Sequence, residues 1–195
     1  KIMGRFDTRL SLSSANVDEV IIKRLLEKKE SAQDTLRLLY NEKSAILNNL
    51  ITFSDDTYDM KNYSDAQEFV DVYPFVPYQF KLLQEVFEEI RRHGATGKHL
   101  SEGERSLVSA FQESAQKYQT EEEGKLIPFS AFFSPIESFL DSNIRRVITN
   151  AMNNNRLEDY DVEVLKLLFL IRYIKGLPGN IENLTTLMIS NIDED

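Results

Sequence analysis

The 195-residue sequence contains no cysteine. That absence excludes a disulfide scaffold, a thiolate zinc site and a cysteine nucleophile, and it fits a reducing cytoplasmic compartment. Long apolar runs are absent as well, because the longest, residues 167–171, is far too short to cross a bilayer. No charged-then-apolar leader follows Lys1, so no secretory signal is visible. We therefore expect a cytoplasmic protein that has no membrane partner.

Positive charge is scarce in this sequence. Lys and Arg number 23 against 32 Asp and Glu, which gives a formal net charge of −9. Binding along nucleic acid needs a dense positive field, so the composition disfavours a DNA-binding surface. The charge is uneven, because residues 1–50 carry nine Lys and Arg against seven Asp and Glu. An acidic body with a near-neutral N-terminal segment suits contacts with other proteins better.

Apolar residues at helical spacing run through most of the chain. One alternating stretch, residues 5–12, has the pattern of a strand and would need a sheet to join. Beyond it, apolar stripes of period 3.6 are separated by turn residues and prolines. The sequence therefore predicts an all-α fold of about seven helices with a short N-terminal extended segment or strand.

Capping signals set the expected ends of the first helices. Asn16 is suited to cap a helix whose Asp18 and Glu19 favour its N-terminal dipole and which ends near Lys29. A longer helix is expected from about Asp34. These signals predict two helices before the polar loop of residues 54–63.

Later signals predict further helix starts, three of them in the C-terminal part of the chain. Ser134 and the proline after it begin a helix that should continue to the asparagine run at residues 153–155. Asp161 opens the most apolar stripe, which we expect to form the central, buried helix. A Gly-Pro-Gly turn precedes a last helix from about Asn180, with Ile181 on its apolar face.

The N-terminal motif Gly4-Arg5-Phe6-Asp7 resembles the end of the second region of homology of AAA+ ATPases, where a strand leads into the lid helix. The resemblance implies that Arg5 is an arginine finger, which stabilises charge on a phosphoryl group bound by the neighbouring subunit. The alternative for Arg5 and Arg9 is that both are solvated residues flanking a strand. The motif predicts one catalytic contribution in trans, from Arg5.

A broader resemblance covers most of the chain and depends on the order of five segments. The segments are GRFDTRLSLSS at 4–14, VDEVI at 17–21, YPFVPYQF at 73–80, GKHLSEGERS at 97–106 and LTTLM at 184–188. In this order they resemble the BREX phage-exclusion P-loop ATPase family, of the BrxC/PglY type. This resemblance implies a non-catalytic fragment downstream of the Walker motifs, with ATP and Mg²⁺ bound by the full-length parent and no cofactor in this piece.

The resemblance also implies a division of the chain and a set of partners. Residues 1–53 would be an AAA+ lid-like segment, 54–160 a helical domain and 161–195 a terminal helix pair. That pair has the proportions of the start of a winged helix, and a plain antiparallel pair is the alternative. The implied partners are other subunits of the same ATPase and other phage-defence proteins, with DNA reached only through the full-length protein.

Lys98 and Ser101 form a candidate anion site before a predicted helix. Helix N-termini bind anions, and Ser101 with its neighbours resembles the signature of ABC-type ATPases. The alternative is an ordinary capping box formed by Ser101 and Glu104. A Walker A loop is excluded, because only two residues separate Gly94 from Gly97 and a histidine follows the lysine. No metal-ligand spacing is visible, so no metal site is predicted.

Three functions remain open from the sequence. The first is a helical region that relays the nucleotide state of the parent ATPase to partners or neighbouring subunits. The second is a helical protein–protein adaptor without a link to nucleotide. The third is a DNA-binding helix-turn-helix piece, which the negative charge disfavours.

Overall fold

The computed structural model describes residues 14–93 and 103–193. Within these ranges every named element is helical, and an isolated antiparallel bridge joins Lys125 to Asn191. The all-α prediction is confirmed, while the expected strand at residues 5–12 lies outside the described ranges. The α-helices of these ranges are α1 (Ser14–Val20), α2 (Glu30–Leu50), α3 (Ala66–Val72), α4 (Tyr78–Arg92), α5 (Gly103–Lys117), α6 (Phe133–Ile136), α7 (Ser142–Met152), α8 (Asp159–Ile171) and α9 (Ile181–Met188).

The described ranges thus hold nine α-helices, against the seven or so expected. One cause is that the helix predicted from Ser134 is interrupted. A 3₁₀ turn at Glu137–Phe139 ends in an extended residue, Leu140, whose ψ is 155°. Asp141 then begins a new helix, because its carboxylate accepts a hydrogen bond from the backbone N–H of Asn143 at 2.7 Å. The predicted single helix is therefore the pair α6 and α7.

The first helix also differs from its prediction. Asn16 lies inside α1 instead of capping it, and the α-helical geometry ends at Val20. A π-helical turn, Ile21–Leu25, continues the chain, and the N–H of Leu26 donates to the carbonyl of Ile21 at 3.1 Å. This wider hydrogen-bonded ring inserts one extra residue per turn. We call this segment the π turn below.

The longest described helix is α2, which has 21 residues and begins at Glu30, earlier than the predicted Asp34. Leu36 and Leu47 are its buried residues, and it packs along α3. An amphipathic helix of this kind buries one stripe and leaves the other faces to water. Among the described helices, none has both the length and the apolar character that crossing a membrane would require.

The core is organised around five phenylalanines, called the aromatic centre below: Phe75, Phe80, Phe111, Phe129 and Phe132. Each is at most 5% exposed. The ring centroid of Phe111 lies 4.6 Å from that of Phe80 and 4.8 Å from that of Phe75. A further 5.0 Å contact joins Phe111 to Phe132. Aromatic pairs at these separations add to the free energy already obtained from burying their area.

The expectation that α8 is the central helix, buried around nearly its whole circumference, is wrong. Leu167, Leu170 and Ile171 are buried, but Leu168 is 38% exposed. The helix packs on a second 3₁₀ turn, Phe129–Phe132, which carries part of the aromatic centre. That turn covers one face of α8, and Leu168 lies on a face that meets water. Ile181, predicted on the inner face of α9, is 85% exposed.

A buried polar cluster fixes the loop after α2 to the turn before α9, and we call it the Asn183 junction. The fully buried Asn183 accepts from the backbone N–H of Ser54 at 2.9 Å. Its amide nitrogen donates to Thr57 Oγ1 at 2.8 Å and to the carbonyl of Pro178 at 2.9 Å. Asn180 donates to the hydroxyl of Ser54 at 2.9 Å and also caps α9. Buried amide groups satisfied in this way hold two distant segments in register.

Tyr58 adds a second connection beside that junction. Its N–H donates to the carbonyl of Gly176 at 2.8 Å, and its hydroxyl donates to Glu85 Oε2 at 2.8 Å. Burial is the main cause that raises the pKa of Tyr58, and the hydrogen bond to the Glu85 carboxylate raises it further. Lys81 Nζ lies 4.8 Å from the ring centroid, which places a cation over its face. Tyr58 therefore joins α4 to the turn between α8 and α9.

Candidate functional site

The three residues selected from the sequence, Arg5, Lys98 and Ser101, all lie outside the described ranges. Their roles as arginine finger and anion site therefore stay predictions. The nearest described elements are α1, which follows Arg5, and α5, which follows Lys98 and Ser101. These two helices pack against each other, and α5 also packs against the π turn. The helices that follow the two predicted sites thus belong to one packed unit.

His93 is an exposed residue directly after α4. Its ring stacks on that of Tyr173 with 4.0 Å between centroids and 9° between planes. Nδ1 lies 3.3 Å from Glu89 Oε2. Within residues 14–93 and 103–193, no group of three or more His, Cys, Asp or Glu side chains is arranged to hold a metal ion.

The π turn is the most unusual backbone feature near the N-terminal end of the described chain. Ile21 at its start is 1% exposed and Leu26 just beyond it is 6% exposed, so the turn is anchored by apolar side chains on one side. π-Helical turns occur frequently at functional sites, because the extra residue redirects neighbouring side chains. Two cavities adjoin this turn, and Ile22 lines both of them.

The first cavity, called the Lys28 cavity below, has a volume of about 440 Å³. Arg24 from the π turn, Glu27 and Lys28 from the connection to α2, Gln33 of α2 and Asp71 of α3 contribute polar groups to its walls. The amide of Gln33 donates to the backbone carbonyl of Lys28 at 3.0 Å and fixes the connection at that point. The cavity therefore has a defined polar wall with both cationic and anionic groups.

Lys28 is the residue whose electrostatics are most unusual in this cavity. Its Nζ donates to the backbone carbonyl of Asp71 at 3.0 Å. That carbonyl belongs to the last turn of α3, where carbonyls lack partners within the helix. Burial of the amine lowers the pKa of Lys28 to about 8, and the Asp71 carboxylate partly opposes that change. Lys28 thus combines a structural hydrogen bond with an amine whose neutral fraction near physiological pH is larger than that of an ordinary lysine.

The second cavity, called the Asp18 cavity below, has a volume of about 250 Å³ and is also lined by Ile22. Asp18 accepts from the side-chain amide of Gln84 at 3.0 Å. Burial raises the pKa of Asp18, while the bond from Gln84 and the charge of Lys61 act in the opposite direction. A half-buried carboxyl group and a half-buried amine therefore line the two cavities that adjoin the π turn, and shifted groups of this kind cluster at functional sites.

Sequence reasoning missed both of these groups as site residues. It assigned Asp18 to the dipole of the first helix and gave Lys28 no role. The available signal was the basic cluster formed by Lys23, Arg24, Lys28 and Lys29. Sequence spacing could not show that Asp71, 43 positions away, supplies the carbonyl that positions Lys28.

No protein-family model matches this chain, and no solved structure matches it at a significant level.

Proposed function

We propose that this chain is a non-catalytic helical region of a large cytoplasmic P-loop ATPase of phage defence. In this proposal it relays nucleotide state to neighbouring subunits and to other phage-defence proteins, and the parent protein binds ATP and Mg²⁺. The observation that carries the proposal is the order of the five segments, from residues 4–14 to residues 184–188, that resemble the BREX ATPase family. DNA contacts, where they occur, belong to the full-length protein.

The packing of α1 on α5 supports this proposal. In the resemblance, Arg5 reaches the nucleotide of a neighbouring subunit and lies nine residues before α1. Lys98 and Ser101 lie just before α5. A displacement that begins at either segment would pass directly into a shared helix pair, because packed helices move as rigid bodies and do not deform continuously.

The Asn183 junction and Tyr58 support transmission over a longer distance. They attach the loop that follows α2 to the turn between α8 and α9 through buried hydrogen bonds. Such connections resist sliding, since breaking them leaves buried polar groups unsatisfied. The N-terminal helices and the terminal helix pair are therefore mechanically connected, as a relay requires.

The test is the ATPase activity of the full-length parent protein with Arg5→Ala. A missing arginine finger lowers turnover by on the order of 10³-fold or more, because the transition-state charge loses its donor. Arg156→Ala is the matched control, since Arg156 is an exposed arginine remote in sequence from the N-terminal motif. Unchanged turnover in the assembled Arg5→Ala protein would contradict the relay.

The isolated chain gives a second test. It should show no ATP hydrolysis above background, because the Walker motifs are expected elsewhere in the parent. Sustained ATP turnover by the purified chain would contradict the non-catalytic assignment, provided that controls exclude a contaminating ATPase as its source.

A protein–protein adaptor is the second candidate function, and a group of exposed apolar side chains favours it. Val147, Met152, Leu157 and Tyr160 are large apolar side chains that are 40–65% exposed along α7, the connection and the start of α8. Concentrations of exposed apolar side chains mark interaction sites. If the chain is an adaptor, a Met152→Ser and Tyr160→Ser double variant should lose partner binding. The ATPase activity of the parent protein should then be unchanged by Arg5→Ala.

A further inference from the structure

The Lys28 amine occupies a position where a nitrogen lone pair can meet a ligand. In its neutral form the amine has two hydrogens and one lone pair, and the Asp71 carbonyl accepts one of the hydrogens at 3.0 Å. The cavity beside it, about 440 Å³, can accommodate a small organic molecule. An amine that is held by a hydrogen bond at the wall of a cavity differs from an ordinary surface lysine, whose ammonium is fully hydrated.

The charges around this amine favour an anionic ligand. Arg24 lines the cavity and makes no ion pair with another described residue. Lys23 also lines it, although its Nζ pairs with Glu19 at 2.5 Å. Glu27 and Asp71 are the opposing carboxylates of the lining, and Asp71 already accepts from the amide of Gln67 at 2.7 Å. A planar guanidinium without a partner is suited to bidentate binding of phosphate or carboxylate.

We propose that the Lys28 cavity is a covalent capture site, in which the Lys28 amine forms an imine with a small aldehyde that carries a phosphate or carboxylate group. Arg24 binds the anionic group and brings the carbonyl carbon to Nζ. The inference does not depend on the ATPase proposal, because every group it uses lies within the described chain.

The chemistry balances without a co-reactant. The Nζ lone pair forms the new carbon–nitrogen bond, and the carbonyl π electrons move to oxygen. The two hydrogens of the amine pass to that oxygen, which leaves as water, and a neutral imine remains. When the imine takes up a proton, its N–H can again donate to the Asp71 carbonyl, so the hydrogen bond to α3 is recovered in the product.

A purely structural role for Lys28 predicts a different behaviour. If the side chain only satisfies the end of α3, its reactivity follows exposure, and the more exposed Lys29 reacts faster. The capture site predicts the reverse order. The pKa of about 8 supports the reverse order, because the neutral fraction near neutral pH then exceeds that of an ordinary lysine by on the order of 100-fold.

The test uses pyridoxal 5′-phosphate, an aldehyde that carries a phosphate ester, with the wild-type chain near neutral pH. Borohydride reduction converts the imine to a stable secondary amine, and peptide mapping then quantifies the label at Lys28 and at Lys29. We expect Lys28 to be labelled at least about tenfold faster than Lys29, after allowance for its lower exposure. Equal labelling, or faster labelling of Lys29, would overturn the proposal.

A second arm separates the anion site from amine reactivity alone. Pyridoxal, which lacks the phosphate, should lose most of the preference for Lys28. Arg24→Gln should reduce labelling of Lys28 by pyridoxal phosphate several-fold and leave labelling by pyridoxal unchanged. Arg156→Gln, at an exposed arginine between α7 and α8, is the matched control and should change neither. Identical labelling by the two aldehydes, or no effect of Arg24→Gln, would refute the assigned ligand class.

Discussion

The aromatic centre and the surroundings of the π turn differ in how tightly they are packed and in which groups they bury. The five phenylalanines of the aromatic centre are almost completely buried and contact one another ring to ring. Around the π turn, cavities of about 440 and 250 Å³ separate side chains. Burial there shifts the pKa values of Lys28 and Asp18, which have not been removed from water completely. The aromatic centre excludes water from apolar groups, while the surroundings of the π turn bury ionisable groups only in part.

This contrast indicates where stability and chemistry reside in the chain. Close packing yields free energy from apolar area and dispersion but leaves no room for a ligand. Partly buried ionisable groups contribute little to stability, yet they have the protonation behaviour that binding and catalysis use. Substitutions in the two regions should therefore differ in size and in their dependence on pH.

The largest expected effect is that of Phe132→Ala in the aromatic centre. Phe132 is 0% exposed and contacts three other phenylalanine rings. Its removal should lower the free energy of unfolding by about 3–5 kcal/mol, through lost burial and the cavity left behind. Urea denaturation followed by circular dichroism measures this change. Met152→Ala, at a side chain that is 65% exposed, should change it by less than about 0.5 kcal/mol. Similar losses in both variants would contradict the contrast.

Asn183→Ala should follow, at about 2–3 kcal/mol. The substitution leaves the Ser54 N–H, the Thr57 hydroxyl and the Pro178 carbonyl without their buried partner, and unsatisfied groups of this kind carry the full desolvation penalty. The same denaturation experiment applies. Asn49→Ala, an exposed amide near the end of α2, is the control and should be close to neutral. A neutral Asn183→Ala would show that water replaces the junction.

Gly176→Ala should cost about 1–2 kcal/mol, because its φ of +75° is unfavourable for residues with a Cβ atom. A Cβ there would also lie 3.3 Å from the ring of Tyr58. Gly179→Ala is the matched control in the same turn. Its φ is not positive, and its added Cβ would meet Leu168 at 3.4 Å, an ordinary contact. Thermal denaturation of both variants should show the larger decrease for Gly176→Ala, and equal decreases would contradict the backbone explanation.

The smallest effect concerns pH and the Lys28 cavity. The pKa of Lys28 is about 8 in the folded chain against 10.5 for the free side chain, so between these values the unfolded state binds more protons. The stability of the wild type should therefore rise with pH through this window, relative to Lys28→Met, which cannot titrate. We expect a relative gain of about 1 kcal/mol after allowance for solvent screening. Denaturation curves for both proteins across the window measure it, and parallel pH profiles would exclude the shifted amine.

Helix content was well predicted where capping and periodicity agree. The loop of residues 54–63, the helix start at about Asn180 and the all-α class are all confirmed. The errors arose where local signals compete, as at Asp141, whose carboxylate restarts a helix within an uninterrupted apolar stripe. The predicted burial of α8 was too high, because an apolar stripe does not show how much of the helix surface its neighbours will cover. The roles of Arg5, Lys98 and Ser101 remain predictions.

The sequence by itself determined the helical class, most helix positions and the scarcity of positive charge, because these depend on neighbouring residues and on composition. Tertiary structure alone decided which polar groups are buried and which of them form hydrogen bonds with each other. Asn183 meets Ser54 across 129 positions, and Lys28 meets Asp71 across 43. Burial and hydrogen bonding between such distant residues depend on how the helices pack, and periodicity along the chain carries no information about those distances.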